Sequence, residues 1–263
     1  MGALRLERDE VSLHALDFGG RGPPVILLHG LAGYAGEWAD TASWLGEHHR
    51  VVAPDLRGHG ESTRTPSTVA PEAFVADVSA WLDALGFEHA TVLGQSFGGL
   101  IAFVTAARHP ERVACLVVAE ASPAPDPSAV AEVRSWLESW PLPFPDVEAA
   151  IRFFGDGSLR AQAWALGLEA REDGLWPRFD QTTVLEALRE SASGHWDDWD
   201  SIRCPTLIVR GEHGMSAQDV EGMASRLSQA AVETVPNAGH DVHLERPAAW
   251  RAVVEPFLAA ASS

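Results

Sequence analysis

The chain has 263 residues and a formal net charge of −18, a surface that repels phosphate backbones and argues against nucleic-acid or anionic-membrane partners. Its 46% hydrophobic and 21% charged residues are typical of a globular protein with one large core. All 19 basic residues are arginine, which excludes a lysine nucleophile, and the composition suggests a GC-rich bacterial genome.

Neither the cysteines nor the apolar runs indicate an exported or membrane-bound protein. Cys115 and Cys204 lie in or beside apolar runs, so we expect buried free thiols rather than a disulfide. The opening MGALRLERDE is charged, and we expect neither a signal peptide nor a membrane anchor. The longest apolar runs have the length of strands, which predicts a cytoplasmic protein.

Short apolar runs alternate with helical patterns in the first half of the chain. Residues 4–18 predict an antiparallel hairpin at a sheet edge. Buried strands are predicted at 24–30, 50–55, 90–96, 112–120 and 205–212. A helix over 71–86 has one apolar face, whereas 97–110 is apolar nearly all round. The alternation predicts an α/β fold with a doubly wound, mostly parallel sheet.

The alternation stops between about residue 122 and residue 201. Helical stretches and proline-rich turns replace the strands there. We predict a helical cap over 122–201, inserted into a core domain formed by 1–121 and 202–263. Candidate substrate-binding aromatics in this insert are Trp136, Trp140, Phe154, Trp164 and Trp176. The alternative is that these rings only pack the insert against itself, which is the default role of aromatic side chains.

The segment GQSFGG, residues 94–99, is typical of a nucleophile elbow. Ser96 stands between a predicted strand and a predicted helix, with glycine two positions before and after it. The helix N-terminus there stabilises negative charge, so Ser96 is the candidate nucleophile. The backbone N–H groups of Leu31, which follows the segment LLHG, and Phe97 are the candidate oxyanion hole. The alternative is a glycine-rich turn with an incidental serine.

The segment NAGHDVHLERP, residues 237–247, supplies a candidate general base. His240 follows a glycine in a loop that can present its imidazole. His243 is the competing candidate, although we expect it at the start of a helix. His29 in LLHG is expected to be structural. The histidines, cysteines and carboxylates do not show metal-ligand spacing, and neither a metal nor a cofactor is expected.

Together LLHG, PDLRGHGES, GQSFGG, PTLIVRGE and NAGHDVHLERP resemble the α/β-hydrolase superfamily over nearly the whole chain. The resemblance implies the α/β-hydrolase fold with an eight-stranded sheet, a cap after the sixth strand and a serine–histidine–acid triad. It also implies scaffold roles for Asp55, Arg57 and His59. In the family the acid usually follows the seventh strand in a pattern like GExD, but residues 211–214 read GEHG. Some haloalkane dehalogenases and the zearalenone lactonases carry a Glu one strand earlier, where this chain has Glu120.

Two candidates for the acid therefore stay open, Glu120 and Glu212, with Asp219 and Asp241 behind them. Glu120 is preferred because its strand end borders the histidine loop and glutamate has the longer reach. Its alternative role is to accept hydrogen bonds from backbone N–H groups at the strand end.

A serine nucleophile favours acyl transfer. The sequence predicts a serine hydrolase that cleaves an ester or lactone of a hydrophobic small molecule through an acyl-enzyme on Ser96. One alternative is a carbon–carbon bond hydrolase with the same triad. The other is a ligand-binding homologue without activity, which the glycine at Gly214 favours. The sequence leaves the oligomeric state open, with a dimer as one option.

Overall fold

A computed structural model describes residues 1–124, 128–155 and 157–261. Its strands are β1 (Gly2–Arg8), β2 (Val11–Gly19), β3 (Pro24–Leu28), β4 (Arg50–Pro54), β5 (Ala90–Gln95), β6 (Val113–Ala119), β7 (Leu168–Arg171), β8 (Gly174–Pro177), β9 (Thr206–Gly211) and β10 (Ala230–Val235).

The helices flank the sheet, and five of the described helices lie in the segment between β6 and β9. They are α1 (Ala39–Leu45), α2 (Pro71–Ala84), α3 (Phe97–Arg108), α4 (Ala129–Glu138), α5 (Val147–Phe154), α6 (Leu159–Leu166), α7 (Gln181–Glu190), α8 (Trp196–Asp200), α9 (Ala217–Arg226), α10 (Val242–Glu245) and α11 (Pro247–Ala261). A 3-10 turn over Ala35–Trp38 precedes α1. Among the described helices, none combines the length and apolarity needed to cross a membrane.

Eight strands form one sheet in the order β1-β2-β4-β3-β5-β6-β9-β10. The strand β2 pairs antiparallel with β1 and β4, and the remaining neighbours are parallel. The predicted edge hairpin and the mostly parallel, eight-stranded α/β sheet are therefore confirmed. The predicted strands are present but end one or two residues early, because the last residues of each run already belong to the loops that carry the site.

The parallel strands are buried on both faces. In β3, Val25 and Leu27 pack on one side of the sheet, and Ile26 and Leu28 pack on the other, because successive side chains of a strand alternate. The helices α2, α3, α8 and α9 cover the side of Ile26, and α1 and α11 cover the opposite side. This burial explains why these strands appear in the sequence as continuous apolar runs. Both cysteines are buried and free, as predicted.

The segment predicted as an insert, residues 122–201, contains α4 to α8 and also the hairpin β7–β8, which the sequence prediction of helices alone missed. Two strands of four residues are too short for their periodicity to be recognised. The insert has an apolar cluster of its own, containing Trp140, Phe144 and Phe154. The last helix of this segment, α8, belongs instead to the main core. The ring centroids of its Trp199 and of Phe103 in α3 lie 5.5 Å apart.

Candidate active site

Ser96 occupies a tight turn between β5 and α3. Its backbone has φ 53° and ψ −121°, a conformation that residues other than glycine rarely adopt. A Cβ on Gly94 would lie 2.1 Å from the Gly98 carbonyl oxygen, and one on Gly98 would lie 2.2 Å from the Leu28 carbonyl oxygen. Only glycines allow this packing of the helix start against the ends of β3 and β5. The strand–turn–helix context predicted for the elbow is present.

The segment after β3 lies directly beside the elbow. A Cβ on Gly30 would lie 3.4 Å from Ser96 Cβ, so the backbone before Leu31 passes close to the serine. Leu31 lines the same cleft as Ser96. Phe97 is the first residue of α3, and its N–H is one of the four at a helix start that lack an intrahelical acceptor. The oxyanion assignment of Leu31 and Phe97 is consistent with this placement and stays a prediction.

His29 holds this segment in place, as expected for a structural residue. Its Nδ1 donates to the Gly30 carbonyl oxygen at 2.8 Å, and its Nε2 accepts from Leu56 N at 3.0 Å. Both ring nitrogens are therefore used within the scaffold. His59 packs 5.2 Å from the His29 ring, and burial lowers the pKa of His59 to about 3. A buried histidine with such a pKa stays neutral at physiological pH.

His240 lies in the loop after β10 and faces the cleft beside Ser96. Its Nδ1 is 3.3 Å from Glu120 Oε2, and its carbonyl oxygen accepts from Gln95 Nε2 at 2.9 Å. The His240 side chain is 57% exposed, whereas that of Glu120 is 1% exposed. An open imidazole backed by a buried carboxylate is the arrangement of a general base with its orienting acid. In the described residues no hydrogen bond joins Ser96 Oγ to the ring, a contact that often tightens only with substrate bound.

The electrostatic surroundings of His240 favour its protonated form. Desolvation acts to lower the pKa of His240, but the hydrogen bond that its ring donates to Glu120 and the negative charge of Asp241 outweigh it. The pKa of His240 is therefore raised above its usual 6.5. The same carboxylates would stabilise the imidazolium that forms when the ring accepts a proton.

Glu120 reaches His240 from the end of β6 and also binds two backbone amides. Its Oε1 accepts from Gly211 N at 2.7 Å, and its Oε2 accepts from Met215 N at 2.8 Å. A Cβ on Gly214 would lie 2.2 Å from Glu120 Oε2. The carboxylate thus occupies the space that any side chain at Gly214 would need. This geometry accounts for the glycine at the position where the family usually has its acid.

Of the other acid and base candidates, Asp241 lies beside His240, and the remaining three make their contacts elsewhere. Glu212 Oε2 accepts from Asn237 N at 2.8 Å, which ties two loops together. Asp219 belongs to the start of α9, where its N–H bonds to the Ser216 hydroxyl. His243 lies in α10, as expected, and is buried against Trp38 with ring centroids 4.2 Å apart.

A cleft of about 220 Å³ opens over Ser96 and His240. It is lined by Gly30, Leu31, Gly33, Glu37, Gln95, Ser96, Val133, Trp136, Arg160, Trp164, His240, Asp241 and Leu244. Two of the aromatic candidates, Trp136 and Trp164, therefore line the cleft, and their role in substrate binding stays a prediction. In the described ranges, no group of three or more histidine, cysteine or carboxylate side chains could hold a metal ion.

The remaining three aromatic candidates do not line this cleft. Trp140 and Phe154 are buried in the cluster of the insert, with ring centroids 4.9 Å apart. Trp176 lies on β8 and donates from Nε1 to Asp173 at 2.8 Å. Trp140 and Phe154 thus pack within the insert, and Trp176 contacts a polar side chain of the same hairpin.

Sequence reasoning missed a polar group that joins the insert to the histidine loop. Asp241 Oδ2 accepts from Arg160 Nε at 2.8 Å and from Trp164 Nε1 at 3.2 Å. Desolvation acts to raise the pKa of Asp241, but the nearby His240 and His243 and these hydrogen bonds outweigh it and lower that pKa. The only local signal was that Asp241 follows His240. Arg160 is about 80 residues away in sequence, and no motif marks it.

Comparisons with known proteins agree with the fold. A pimeloyl-[acyl-carrier protein] methyl ester esterase of Chromobacterium violaceum is 32% identical over 238 residues, which cover 84% of this chain and 88% of the esterase. The crystal structure of an E-2-(acetamidomethylene)succinate hydrolase matches 98% of both chains with a TM-score of 0.90 and 22% identity. The enol-lactonase from Burkholderia xenovorans LB400 matches 97% of this chain and 100% of its own with a TM-score of 0.80 and 20% identity.

The sheet order, the serine elbow after β5 and the histidine loop after β10 occur together in one chain, in the order that the resemblance implied. A family model described as the alpha/beta hydrolase fold matches residues 23–247. This protein therefore belongs to the α/β-hydrolase family.

Proposed function

We propose that this protein is a serine hydrolase that cleaves a carboxylic ester or lactone of a small molecule through an acyl-enzyme on Ser96. The observation that carries the proposal is the contact between His240 and the buried Glu120 carboxylate beside the elbow. The similarity to a methyl ester esterase supports ester chemistry. The glycine at Gly214 no longer favours a homologue without activity, because Glu120 fills that space.

In the proposed mechanism, Ser96 Oγ attacks the carbonyl carbon while His240 Nε2 takes the hydroxyl proton. Glu120 holds the ring through Nδ1 and stabilises the imidazolium. The N–H groups of Leu31 and Phe97 stabilise the negative charge on the carbonyl oxygen. His240 returns the proton to the leaving oxygen when the ester bond breaks. Water then attacks the acyl group with His240 as base, and Ser96 regains its proton.

In the same proposal the insert acts as a cap over the reacting atoms. Trp136 of α4 and Trp164 of α6 form the apolar part of the cleft wall together with Leu31, Val133 and Leu244. Such a wall favours substrates with a hydrophobic portion and limits the access of water.

A fluorophosphonate probe tests the proposal, since it reacts with activated serines. We expect the wild type to label, Ser96→Ala to stay unlabelled and Glu120→Gln to label at least about a hundredfold more slowly, because the acid orients and stabilises the base. Glu212→Gln is the matched control, a second glutamate of a strand-end loop that does not contact His240, and it should label at the wild-type rate.

Two results would contradict the proposal. A folded wild type that does not label has no activated serine, and the protein is then a ligand-binding homologue. Wild-type labelling of Glu120→Gln with slow labelling of Glu212→Gln would assign the triad acid to Glu212.

A further inference from the structure

We propose that Arg160 binds a carboxylate of the substrate, so that the preferred substrates are esters or lactones whose acyl portion carries a second, ionised carboxyl group. The inference rests on the proposed function, because it places this group in the cleft where Ser96 would attack. It adds a binding group for a negative charge to a cleft that apolar side chains also line.

Arg160 has one edge of its guanidinium anchored and the other end open. Its Nε donates to Asp241 Oδ2 at 2.8 Å, and one terminal nitrogen makes a long contact of 3.4 Å with the Phe154 carbonyl oxygen. In the described part of the chain, its second terminal nitrogen has no hydrogen-bond partner. The side chain is 39% exposed and lines the cleft together with Ser96 and His240. The open end can therefore donate to a ligand.

The carboxylates of the cleft leave this cation available. Asp241 is held by Arg160 and Trp164, and Glu37 accepts from Tyr34 N at 3.3 Å while lying 3.5 Å from His243 Nε2. Of the described residues that line the cleft, Arg160 is the only arginine. A ligand anion in the cleft would therefore bind to the guanidinium of Arg160.

The surroundings of Arg160 favour a carboxylate over other anions. The two terminal nitrogens of a guanidinium match the two oxygens of a carboxylate in a planar, bidentate contact. Asp241 already places one negative charge beside Arg160, so a dianionic phosphate would meet more repulsion than a singly charged carboxylate. The anchored Nε also fixes the side chain before the ligand arrives, which lowers the entropic cost of binding.

The test compares two chromogenic esters that differ by one carboxylate, p-nitrophenyl butyrate and the mono-p-nitrophenyl ester of glutaric acid. We expect the wild type to prefer the glutarate ester. In Arg160→Gln the ratio of kcat/KM for the glutarate ester to that for the butyrate ester should fall at least about tenfold, mainly through KM, because a charge-assisted hydrogen bond is lost. Arg152→Gln is the matched control, an arginine of the insert with a 69% exposed side chain, and should leave the ratio unchanged.

Binding can be measured without turnover in Ser96→Ala. Trp136 and Trp164 line the cleft, so titration with monomethyl glutarate or with methyl butyrate should change the tryptophan fluorescence. We expect at least about tenfold tighter binding of the anion, and loss of that difference when Arg160→Gln is added. Thermal unfolding of each variant shows that it is folded.

The outcomes separate this inference from the proposed function. Equal losses for both esters in Arg160→Gln would mean that Arg160 only supports Asp241, and a wild type without preference for the glutarate ester would also overturn the inference. In either case, labelling of Ser96 by the fluorophosphonate probe would still support the proposed serine hydrolase. A wild type that neither labels nor cleaves either ester would overturn the proposed function and this inference with it.

Discussion

Ser96 and Glu120 both adopt left-handed backbone conformations, with φ of 53° and 54°. Each is the residue that directly follows a parallel strand, β5 for Ser96 and β6 for Glu120. Such conformations cost about 1–3 kcal/mol each and persist where the surrounding structure imposes them. Here they turn a hydroxyl and a carboxylate out of the strand direction and toward the same histidine loop. Two of the five described non-glycine residues with positive φ are therefore residues that carry the proposed chemistry.

At the same scale, Glu120 and Gly214 compete for one volume. A Cβ at Gly214 overlaps the Glu120 carboxylate at 2.2 Å. We expect Gly214→Asp alone to lose most fluorophosphonate labelling, because it displaces Glu120 from His240. The double variant Glu120→Ala with Gly214→Asp should label at least about tenfold faster than Glu120→Ala, because the new carboxylate stands where the family usually carries its acid.

Glu120→Ala alone is the reference for this comparison. A double variant that labels no faster than Glu120→Ala would show that the two positions do not exchange roles. Wild-type labelling of Gly214→Asp would show that the site tolerates both side chains together.

The raised pKa of His240 makes a prediction about pH. His240 acts as a base only when it is neutral, so activity falls as the pH drops through its pKa. Because that pKa lies above 6.5, we expect the acid limb of kcat/KM for p-nitrophenyl butyrate to have its midpoint above pH 6.5. In Glu120→Gln the negative partner is removed, and the midpoint should move to lower pH. A midpoint that stays in place would mean that Glu120 does not set the charge state of the base.

At the scale of elements, the site forms because the carboxyl ends of β3, β5, β6 and β9 meet at one edge of the sheet. The loops that leave this edge carry Leu31, Ser96, Glu120 and Gly214. Strand pairing sets their positions, since Ala119 pairs with Gln95 on one side and with Val209 on the other. Residues far apart in sequence therefore lie within a few ångströms of one another.

The packing of α3 against the end of β3 makes a prediction about stability. A Cβ on Gly98 would lie 2.2 Å from the Leu28 carbonyl oxygen, a backbone atom that cannot rotate away. We expect Gly98→Ala to lower the free energy of unfolding by about 1–3 kcal/mol, because it forces the helix off the strand end. Urea unfolding measures this change.

Gly222→Ala in α9 is the matched control for that experiment. Its nearest neighbour would be Trp196 at 3.8 Å, an ordinary contact. Alanine there should raise the free energy of unfolding by roughly 0.5–1 kcal/mol, because glycine loses more entropy in a helix. If both substitutions changed the stability alike, close packing at Gly98 would not be the cause.

At the scale of the whole molecule, arginine ion pairs join the insert to the rest of the protein. Arg64 makes a bidentate pair with Glu169 of β7 at 2.9 and 2.7 Å, and Arg178 pairs with Glu61. Arg160 makes a third link, to Asp241 beside the histidine. In a chain without lysine, these planar guanidinium contacts act together with the apolar packing of Trp199 in the main core to hold the insert against the rest of the protein.

From local patterns alone the fold class could be predicted, and Ser96 and His240 could be singled out as the candidate nucleophile and base. Strand and helix periodicity, the glycines around the elbow and the histidine loop are local patterns, and each follows from steric and solvation rules that act over a few residues. The order of these patterns along the chain then predicted a mostly parallel sheet with an insert, and the resemblance to the family implied the eight strands.

Three features could be read only from the folded chain: the carboxylate beside His240, the tryptophans that line the cleft, and the position of Arg160 in it. These contacts join residues about 80 to 120 positions apart, so they depend on strand register and on how the insert packs. In the sequence, Gly214 stands where the family usually has an acid. In the structure, the Glu120 carboxylate fills the space that a side chain at position 214 would need. Close packing between segments that are distant in sequence limits the size of each side chain, and local sequence patterns do not show that limit.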